Sequence, residues 1–589
     1  MSAVLKAQEP GARYLAAAQP GLVRQFVLVA GAPGGVGRLR ELILALAVQG
    51  KLVRQNLCDE PASALLKRIG MERTRLAAAG KSGRSTGLTP DDESEPPSSL
   101  PTGWAWSTLA SIGVINPRIN ADGDQVASFV QMSSIPVAFT DAHVTEPRRW
   151  RDIKSGFTQF AEGDVGVAKI TPCFENGKST VFQNLSNGIG AGTTELHIVR
   201  PLGRISPRYV LLFLKNPSFL RDGEATMTGT AGQKRLPRTY FENSPFPLPP
   251  LAEQARIVAR VDELMRLCDA LEAKGRLEAE QHARLLGTLL GTLTDSGTPE
   301  ELAANWQRVA AHFDLLLDRP EAVDALEQTI LQLAVRGLLV PQDQKDEPAT
   351  ALMEQIRAAR ARQLTDVSRR KLRADLPAVD EEEWPFEPPP GWVWTRFGEV
   401  TQVSGGITLG RKGAIASPLS LPYLRVANVQ RWKLVLDSMK EIVIDESELP
   451  RYQLADGDLL ITEGGDWDKV GRTATWRSEL PECLHQNHVF KARGYTTTWN
   501  PCWAELYLNL DVARAYFAAS AKQTTNLASI NMTELRHCVF PLPPLNEQAR
   551  IVARVTDLRR LCADLRQRLA ASQTTQSHLA EALVDCAAS

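Results

Sequence analysis

The stretch PLPPLAEQARIVARV (Pro247–Val261) returns as PLPPLNEQARIVARV (Pro541–Val555), with 14 of 15 positions identical and 294 residues between the copies. Pro249 and Pro250 end an extended FPLP run, and Glu253 suits the positive end of a starting helix. Beyond them Ile257, Val261, Leu264, Cys268 and Leu271 are spaced 4-3-4-3. Ile551, Val555, Leu558, Cys562, Leu565 and Leu569 keep the same rhythm. That spacing predicts a helix carrying a coiled-coil seam in each copy. The register runs on through Gly275, Glu278 and His282 to Leu285 and Leu289 in the first copy. In the second it runs through Ser572 and Gln576 to Leu579 and Leu583, so both seams weaken midway. From Ile257 to Leu289 such a helix spans about 50 Å.

The repeat extends outward from these stretches. LALAVQGKLV (Leu44–Val53) recurs as LQLAVRGLLV (Leu331–Val340), and DEPASALL (Asp59–Leu66) as DEPATALM (Asp346–Met353). PTGWAW (Pro101–Trp106) returns as PPGWVW (Pro389–Trp394), and GDVGVAKITPCFENGKS (Gly163–Ser179) aligns loosely with GDLLITEGGDWDKVGRT (Gly457–Thr473). Each half therefore has the same order: short helical unit, polar linker, GWxW, a long mixed segment, PLPPLxEQ, long helix. Between these markers residues 107–245 and 395–540 differ almost completely. A duplicated frame thus carries two unlike fillings. Their alternation of strand-like runs (FVQMSSIPVAF, GDVGVAKI, TELHIVRP) with helical ones (RYVLLFLKNPSFLR, AELYLNLDVARAYFAA) predicts mixed α/β modules.

At 589 residues the chain exceeds one core, and 43 % hydrophobic with 23 % charged residues is ordinary for a globular protein. A net charge of -1 argues against a uniformly basic nucleic-acid binder and leaves local basic patches open. No apolar stretch reaches the length that spans a bilayer, and the first twenty residues lack the basic–apolar–small order of a signal peptide. Eight scattered cysteines without a CxxC pair point to a reduced, cytoplasmic compartment and argue against a disulfide framework, and no metal site is expected.

With GWxW, GDVGVAKITPCFENGKS, GTAGQKRLP (Gly229–Pro237), QTTNLASINM (Gln523–Met532) and the doubled PLPPLxEQARIVARV in this order, the chain resembles the specificity subunit of type I restriction-modification enzymes from about Gly34 onward. The resemblance implies a mixed α+β fold. Two globular α/β target recognition domains are separated by long antiparallel coiled-coil helices, with an internal pseudo-two-fold repeat. The expected layout is a repeated helical region (1–80), a linker (81–100), the first recognition domain (101–250) and a central helical region (251–373). A second linker (374–388), the second recognition domain (389–544) and the C-terminal spacer helix (545–589) follow. The implied partners are double-stranded DNA, two adenine-N6 methyltransferase subunits and two restriction-translocase subunits, with no membrane. The chain itself is expected to be non-catalytic and to bind no cofactor; S-adenosylmethionine, ATP and Mg²⁺ belong to the partners. A helical ruler of about 50 Å matches about 15 base pairs at 3.4 Å per step, which suits two half-sites held apart by an uncontacted spacer.

Candidate DNA contacts in the first filling are the basic run Arg148, Arg149, Arg151 and Lys154 around Trp150, and the turn of Lys169, Glu175, Asn176, Gly177 and Lys178. A third group is Gln233, Lys234, Arg235 and Arg238. In the second filling they are Asp466, Lys469 and Arg472 beside Gly464 and Gly465, then Gln523, Thr524, Thr525, Asn526, Ser529 and Asn531. Arg and Lys serve phosphates and guanine, and Asn and Gln serve adenine edges. Each of these groups also reads as a solvated loop, and Asn531 before MTEL as a helix cap. Ile257, Val261, Leu264, Leu271, Ile551, Val555, Leu558 and Leu565 are expected to pack the spacer helices.

Three look-alikes fail. FVLVAGAPGGVGRLRELI (Phe26–Ile43) lacks both nucleotide-binding glycine patterns. Asn500-Pro501-Cys502-Trp503 departs from the N-P-P-[YF] of adenine methyltransferases at Cys502. Cys483, His485 and His488 have no second cluster at ligand spacing. The rival readings are a two-headed coiled-coil scaffold that binds proteins without DNA specificity, and a fused methyltransferase.

Overall fold

The computed structural model describes residues 28–78, 99–230, 232–363, 376–410, 415–465, 469–524 and 527–588. Six helices make the frame: α1 (Gly35–Val48), α2 (Ala62–Ala78), α3 (Leu251–Thr294), α4 (Pro320–Val335), α5 (Ala349–Gln363) and α6 (Leu545–Ala588). The chain divides into two compact units, residues 1–280 with 571–589, and residues 281–570. Residues 251–280 of α3 and 571–588 of α6 belong to the first unit, and the rest of each helix to the second.

The first unit holds the first filling, here called reader one. Its strands are β1 (Ala105–Thr108), β2 (Gly113–Ile115), β3 (Val126–Val130), β4 (Glu146–Arg149), β5 (Thr158–Ala161), β6 (Val165–Ala168), β7 (Ser179–Val181), β8 (Ile189–Gly192), β9 (Leu196–Pro201) and β10 (Pro245–Leu248). They form an antiparallel sheet β2-β9-β6-β7, a second sheet β4-β3-β8-β5 and the pair β1-β10. In the second sheet β3 and β8 run parallel. Along β6 all four residues are buried, which explains the run VGVA, apolar on both faces.

Reader two, in the second unit, repeats this plan on a different sequence. Its strands are β11 (Val393–Arg396), β12 (Thr401–Ser404), β13 (Pro418–Leu424), β14 (Val429–Gln430), β15 (Lys433–Leu434), β16 (Lys440–Asp445), β17 (Leu459–Thr462), β18 (Gly464–Gly465), β19 (Thr473–Thr475), β20 (Leu484–His485), β21 (Val489–Gly494), β22 (Lys522–Thr524), β23 (Leu527–Ser529) and β24 (Val539–Leu542). The sheet β12-β21-β17-β19 has the order and direction of β2-β9-β6-β7. Again one parallel pair, β13 with β20, lies in the sheet β16-β13-β20.

The repeated motifs form the same joint in each unit. GWxW and FPLP pair as antiparallel strands, Ala105 opposite Leu248 in one and Val393 opposite Leu542 in the other. The two ends of each reader are thereby clasped together. The first proline of PLPP offers its carbonyl to a buried aromatic donor, Tyr209 Oη to Pro247 O and Trp503 Nε1 to Pro541 O, both at 2.9 Å. The aspartate of DEPA receives the arginine of EQAR, Arg256 to Asp59 at 2.6 Å and Arg550 to Asp346 at 2.7 Å. The glycine of QGKLV, at φ +70, presses on the tryptophan of GWxW. A Cβ on Gly50 would lie 2.9 Å from Trp104, and one on Gly337 3.0 Å from Trp392. Only glycine fits that backbone and that space.

Ile257, Val261 and Leu264 are buried in the core that joins α1, α2 and reader one, with Ala580 and Val584 of α6 in the same cluster. In the second unit Ile551 and Val555 join the core of reader two, while Leu558, Cys562 and Leu565 cluster with Leu286, Leu290 and Leu293 of α3. The start of α3 thus meets the end of α6, and the end of α3 meets the first half of α6, so the helices run antiparallel.

The heptad reading needs a correction beyond Cys268 and Cys562. Leu285 and Leu579 are 54 % and 53 % exposed, while Leu286 and Ala580 are buried. Leu271 is only half-buried and joins none of the core clusters of the described residues. From Cys268 to Leu286, and from Cys562 to Ala580, is 18 residues. Eighteen residues make five turns of a straight helix, whereas a heptad stripe drifts about 20° per repeat. The buried face keeps the 3.6-residue period across middles that contact little.

Candidate nucleic-acid interface

In reader one the end of β6 and the start of β9 meet the chain that enters the helix Arg238–Asn243. The Lys169 N–H donates to Glu195 O at 3.0 Å, and the Lys169 carbonyl accepts from Leu236 N–H at 2.7 Å. Arg235, bridged to Ile170 and Thr228, closes this crossing. Its guanidinium grips Glu195 with Nε at 3.0 Å and Nη2 at 2.9 Å. The hydrogen bonds from Arg235 hold the Glu195 carboxyl below the usual range. Arg235 Nη1 donates to Gln233 O at 3.4 Å, and the N–H groups of Nη1 and Nη2 not used in these bonds suit guanine or phosphate.

Reader two builds the same crossing from other side chains. Glu463 N–H donates to His488 O at 3.0 Å, and Ile530 N–H donates to Glu463 O at 2.9 Å. The Glu463 carboxylate accepts from His488 Nδ1 at 2.5 Å. A carboxylate only accepts, so the ring proton sits on Nδ1. β18 pairs with β23, Gly464 opposite Ser529, and a Cβ on Gly464 would lie 2.6 Å from Ala528 O. Lys469 and Arg472, nominated from sequence, line a cavity of about 630 Å³ together with Glu463, Gly464, Gly465 and His488. Arg472 Nη1 donates to Gln430 Oε1 at 2.6 Å.

At the opposite end of each strand pair lies an unchanged support. Asp164 is fully buried and takes Arg200 through Nε at 2.7 Å and Nη2 at 2.8 Å. Asp458, equally buried, takes Arg493 through both nitrogens at 2.6 Å. Burial raises the Asp164 pKa against the pull of Arg200. Each aspartate also accepts a turn N–H, from Ala161 and Ala455 respectively.

The remaining nominated residues divide by what they touch. Arg148 and Arg149 lie on the edge strand β4 and Arg151 in the next turn. Arg148 pairs with Glu146 at 3.0 Å and covers the Phe129 ring at 3.9 Å, while Arg149 and Arg151 face Asp124. Trp150, in the middle of that run, is buried. Asn176, Gln233, Lys234 and Arg238 are exposed, with Arg238 on Glu242 at 2.7 Å. Glu175 accepts from Thr171 Oγ1 at 3.2 Å.

Two nominated residues have structural duties. The Lys178 ammonium donates to Met132 O at 2.9 Å, under the loop rather than out of it. Asn531 caps the helix Met532–His537, its carboxamide oxygen accepting from Thr533 and Glu534 N–H. Gln523 and Thr524 lie in β22 next to β23. Asp466, Thr525 and Asn526 fall outside the described residues.

The look-alikes resolve into ordinary structure. Leu28–Gly31, in the first look-alike, is a helical turn. Asn500 caps the helix Pro501–Leu508. Cys483 and His485 are buried, and His485 Nδ1 meets Val489 O at 2.7 Å. Burial takes the His485 pKa down to about 4. Sequence reading missed Glu195, Gln430, Glu463 and His488 as site residues. A signal for one of them was present: GDVGVAK set over GDLLITE places the nominated Lys169 opposite Glu463.

No protein-family model matches the chain. Among solved structures, the HsdS subunit from Thermoanaerobacter tengcongensis is 20 % identical, over 83 % of this chain and 98 % of that one, with a TM-score of 0.42. A chain from a type I R-M system, solved in work on complex assembly and conformational transition, is 20 % identical over 84 % of this chain and 99 % of that one, at a TM-score of 0.49. The EcoEI specificity subunit of Escherichia coli is 41 % identical over 562 residues, 94 % of each protein. The EcoAI specificity subunit of Escherichia coli is 43 % identical over 564 residues, again 94 % of each. Identity of that degree, sustained along nearly the whole of both partners in each comparison, shows that this chain belongs to the specificity subunits of type I restriction enzymes.

Proposed function

We propose that the chain reads an asymmetric, bipartite site on double-stranded DNA, one half with each reader, and performs no chemistry itself. The observation that carries this is the pair of crossings: one backbone plan, built twice in one chain, with different donors and acceptors at the same places. Two unlike readers in one polypeptide suit an asymmetric site, just as two identical ones suit a palindrome. Lys234 and the arginines of β4 serve as phosphate contacts that position the reader, and the crossings serve the bases.

In this reading the helical frame docks two methyltransferase and two restriction subunits of a type I complex in the cytoplasm. S-adenosylmethionine, ATP and Mg²⁺ act on those partners. A target adenine in each half-site is delivered to a methyltransferase for flipping and N6 methylation. Two independent specificities in one frame give a scaffold without DNA specificity no comparable support.

The test is co-expression with the cognate methyltransferase subunit, followed by single-molecule methylome sequencing. One asymmetric bipartite motif is expected. A purified complex that neither binds nor methylates DNA carrying any such motif contradicts the proposal.

A further inference from the structure

Framework positions keep their chemistry between the two readers. Asp164 with Arg200 matches Asp458 with Arg493, and Pro247 O and Pro541 O each receive an aromatic donor. Against that constancy, the crossing changes at every side chain. The backbone bonds are the same: the residue after β6 or β17 gives its N–H to the residue before β9 or β21, and accepts from the segment that enters the last helix. Lys169 therefore corresponds to Glu463, Glu195 to His488, and Arg235 to Ser529. A lysine has become an acid, an acid has become a histidine, and the clamped arginine has become a small hydroxyl.

A position needed only for folding has no reason to reverse charge between two copies of one plan. The side chains are also reachable. Arg235 is 47 % exposed, His488 is 54 % exposed and Glu463 is 29 % exposed. In reader two the crossing opens into the cavity of about 630 Å³ that also holds Lys469 and Arg472. Gly464 and Gly465 form one wall of it without a side chain.

We propose that these crossings are the base-reading positions, with Arg235 the guanine reader of reader one and Glu463 the reader of an exocyclic amino group in reader two. Glu195 is a positioning residue: it holds the guanidinium by Nε and Nη2, Nη1 also donates to Gln233 O at 3.4 Å, and the remaining N–H groups of Nη1 and Nη2 meet guanine O6 and N7. Glu463 has no proton to give, so it accepts from the N4 amino group of cytosine in the major groove, or from the N6 amino group of adenine. His488 positions Glu463 through Nδ1–H, and its other ring nitrogen faces Asn487 Nδ2 at 3.5 Å.

The proposal rests on the DNA-reading function, and its test separates the two. Complexes carrying E463Q, R235A or H488N beside the wild type are compared by methylome sequencing and by binding to the wild-type site and its single-base variants. E463Q is nearly isosteric and keeps an acceptor for His488, so the fold is retained, as a melting curve checks. The expected result is a loss of about tenfold or more in discrimination at one base pair of one half-site for E463Q, and of the other half-site for R235A. H488N weakens the same base pair as E463Q. Unchanged motifs in both variants, or uniform weakening across all base variants, overturn the assignment while the DNA-reading account stands. A wild-type complex without any bipartite motif overturns the account itself.

Discussion

Lys215 lies beneath the Asn176 turn of reader one. Its Nζ lies 2.7 Å from Val137 O, 3.0 Å from Gly177 O and 3.4 Å from Pro136 O. Burial takes its pKa down to about 7 from the ordinary 10.5. Between those values the unfolded chain holds a proton that the folded chain has released, so stability rises with pH through that window and falls toward pH 7. The stability of the wild type relative to Lys215→Met is expected to grow between pH 7 and 9, by up to about 1.4 kcal/mol per pH unit. Urea midpoints measure it, and a difference that stays constant contradicts a neutral buried amine. At this scale much of the site was illegible in sequence. Asn531 and Lys178 have the chemistry of base and phosphate readers, but helix capping and a backbone carbonyl claim them. Glu463 and His488 lie 25 residues apart in the chain, and only the strand pairing of β17 with β21 brings them together.

At the scale of elements, the helices were legible where the duplicated motifs had a partner to pack on. PLPPL, GWxW, DEPA and QGKLV recur because each is one side of the same joint. The heptad failed where α3 and α6 run exposed, because no facing knobs impose a supercoil there. The frame also carries a charge code. Arg40 pairs with Glu272 at 2.6 Å, while Glu327, the residue equivalent to Arg40, pairs with Arg566 at 2.7 Å. Docking α1 in the place of α4 would set arginine against arginine. The exposed middles are where length can change without cost to either core. Seven residues keep a helical face to within about 20° and add about 10 Å, or about three base pairs. Inserting seven residues after Gly275 in α3 and after Ser572 in α6 is expected to lengthen the uncontacted spacer of the methylated motif by about three base pairs. Both half-sites should stay the same; an altered base preference within a half-site contradicts the ruler.

At the scale of the whole molecule, two readers with nearly unrelated sequences share one strand order, one buried Asp–Arg support and one clasp. The order of motifs along the chain disclosed that architecture. It disclosed two related α/β modules but not their strand order, because strand pairing tolerates any sequence that keeps apolar residues on the buried faces. The clasps have the same register, so each filling should function in the other frame. The measurement that tests this most directly is methylome sequencing of a complex whose chain carries the first filling, residues 107–245, in both frames. The account predicts a motif whose two halves are both the half-site of reader one. An unchanged asymmetric motif, or a new sequence in either half, contradicts it.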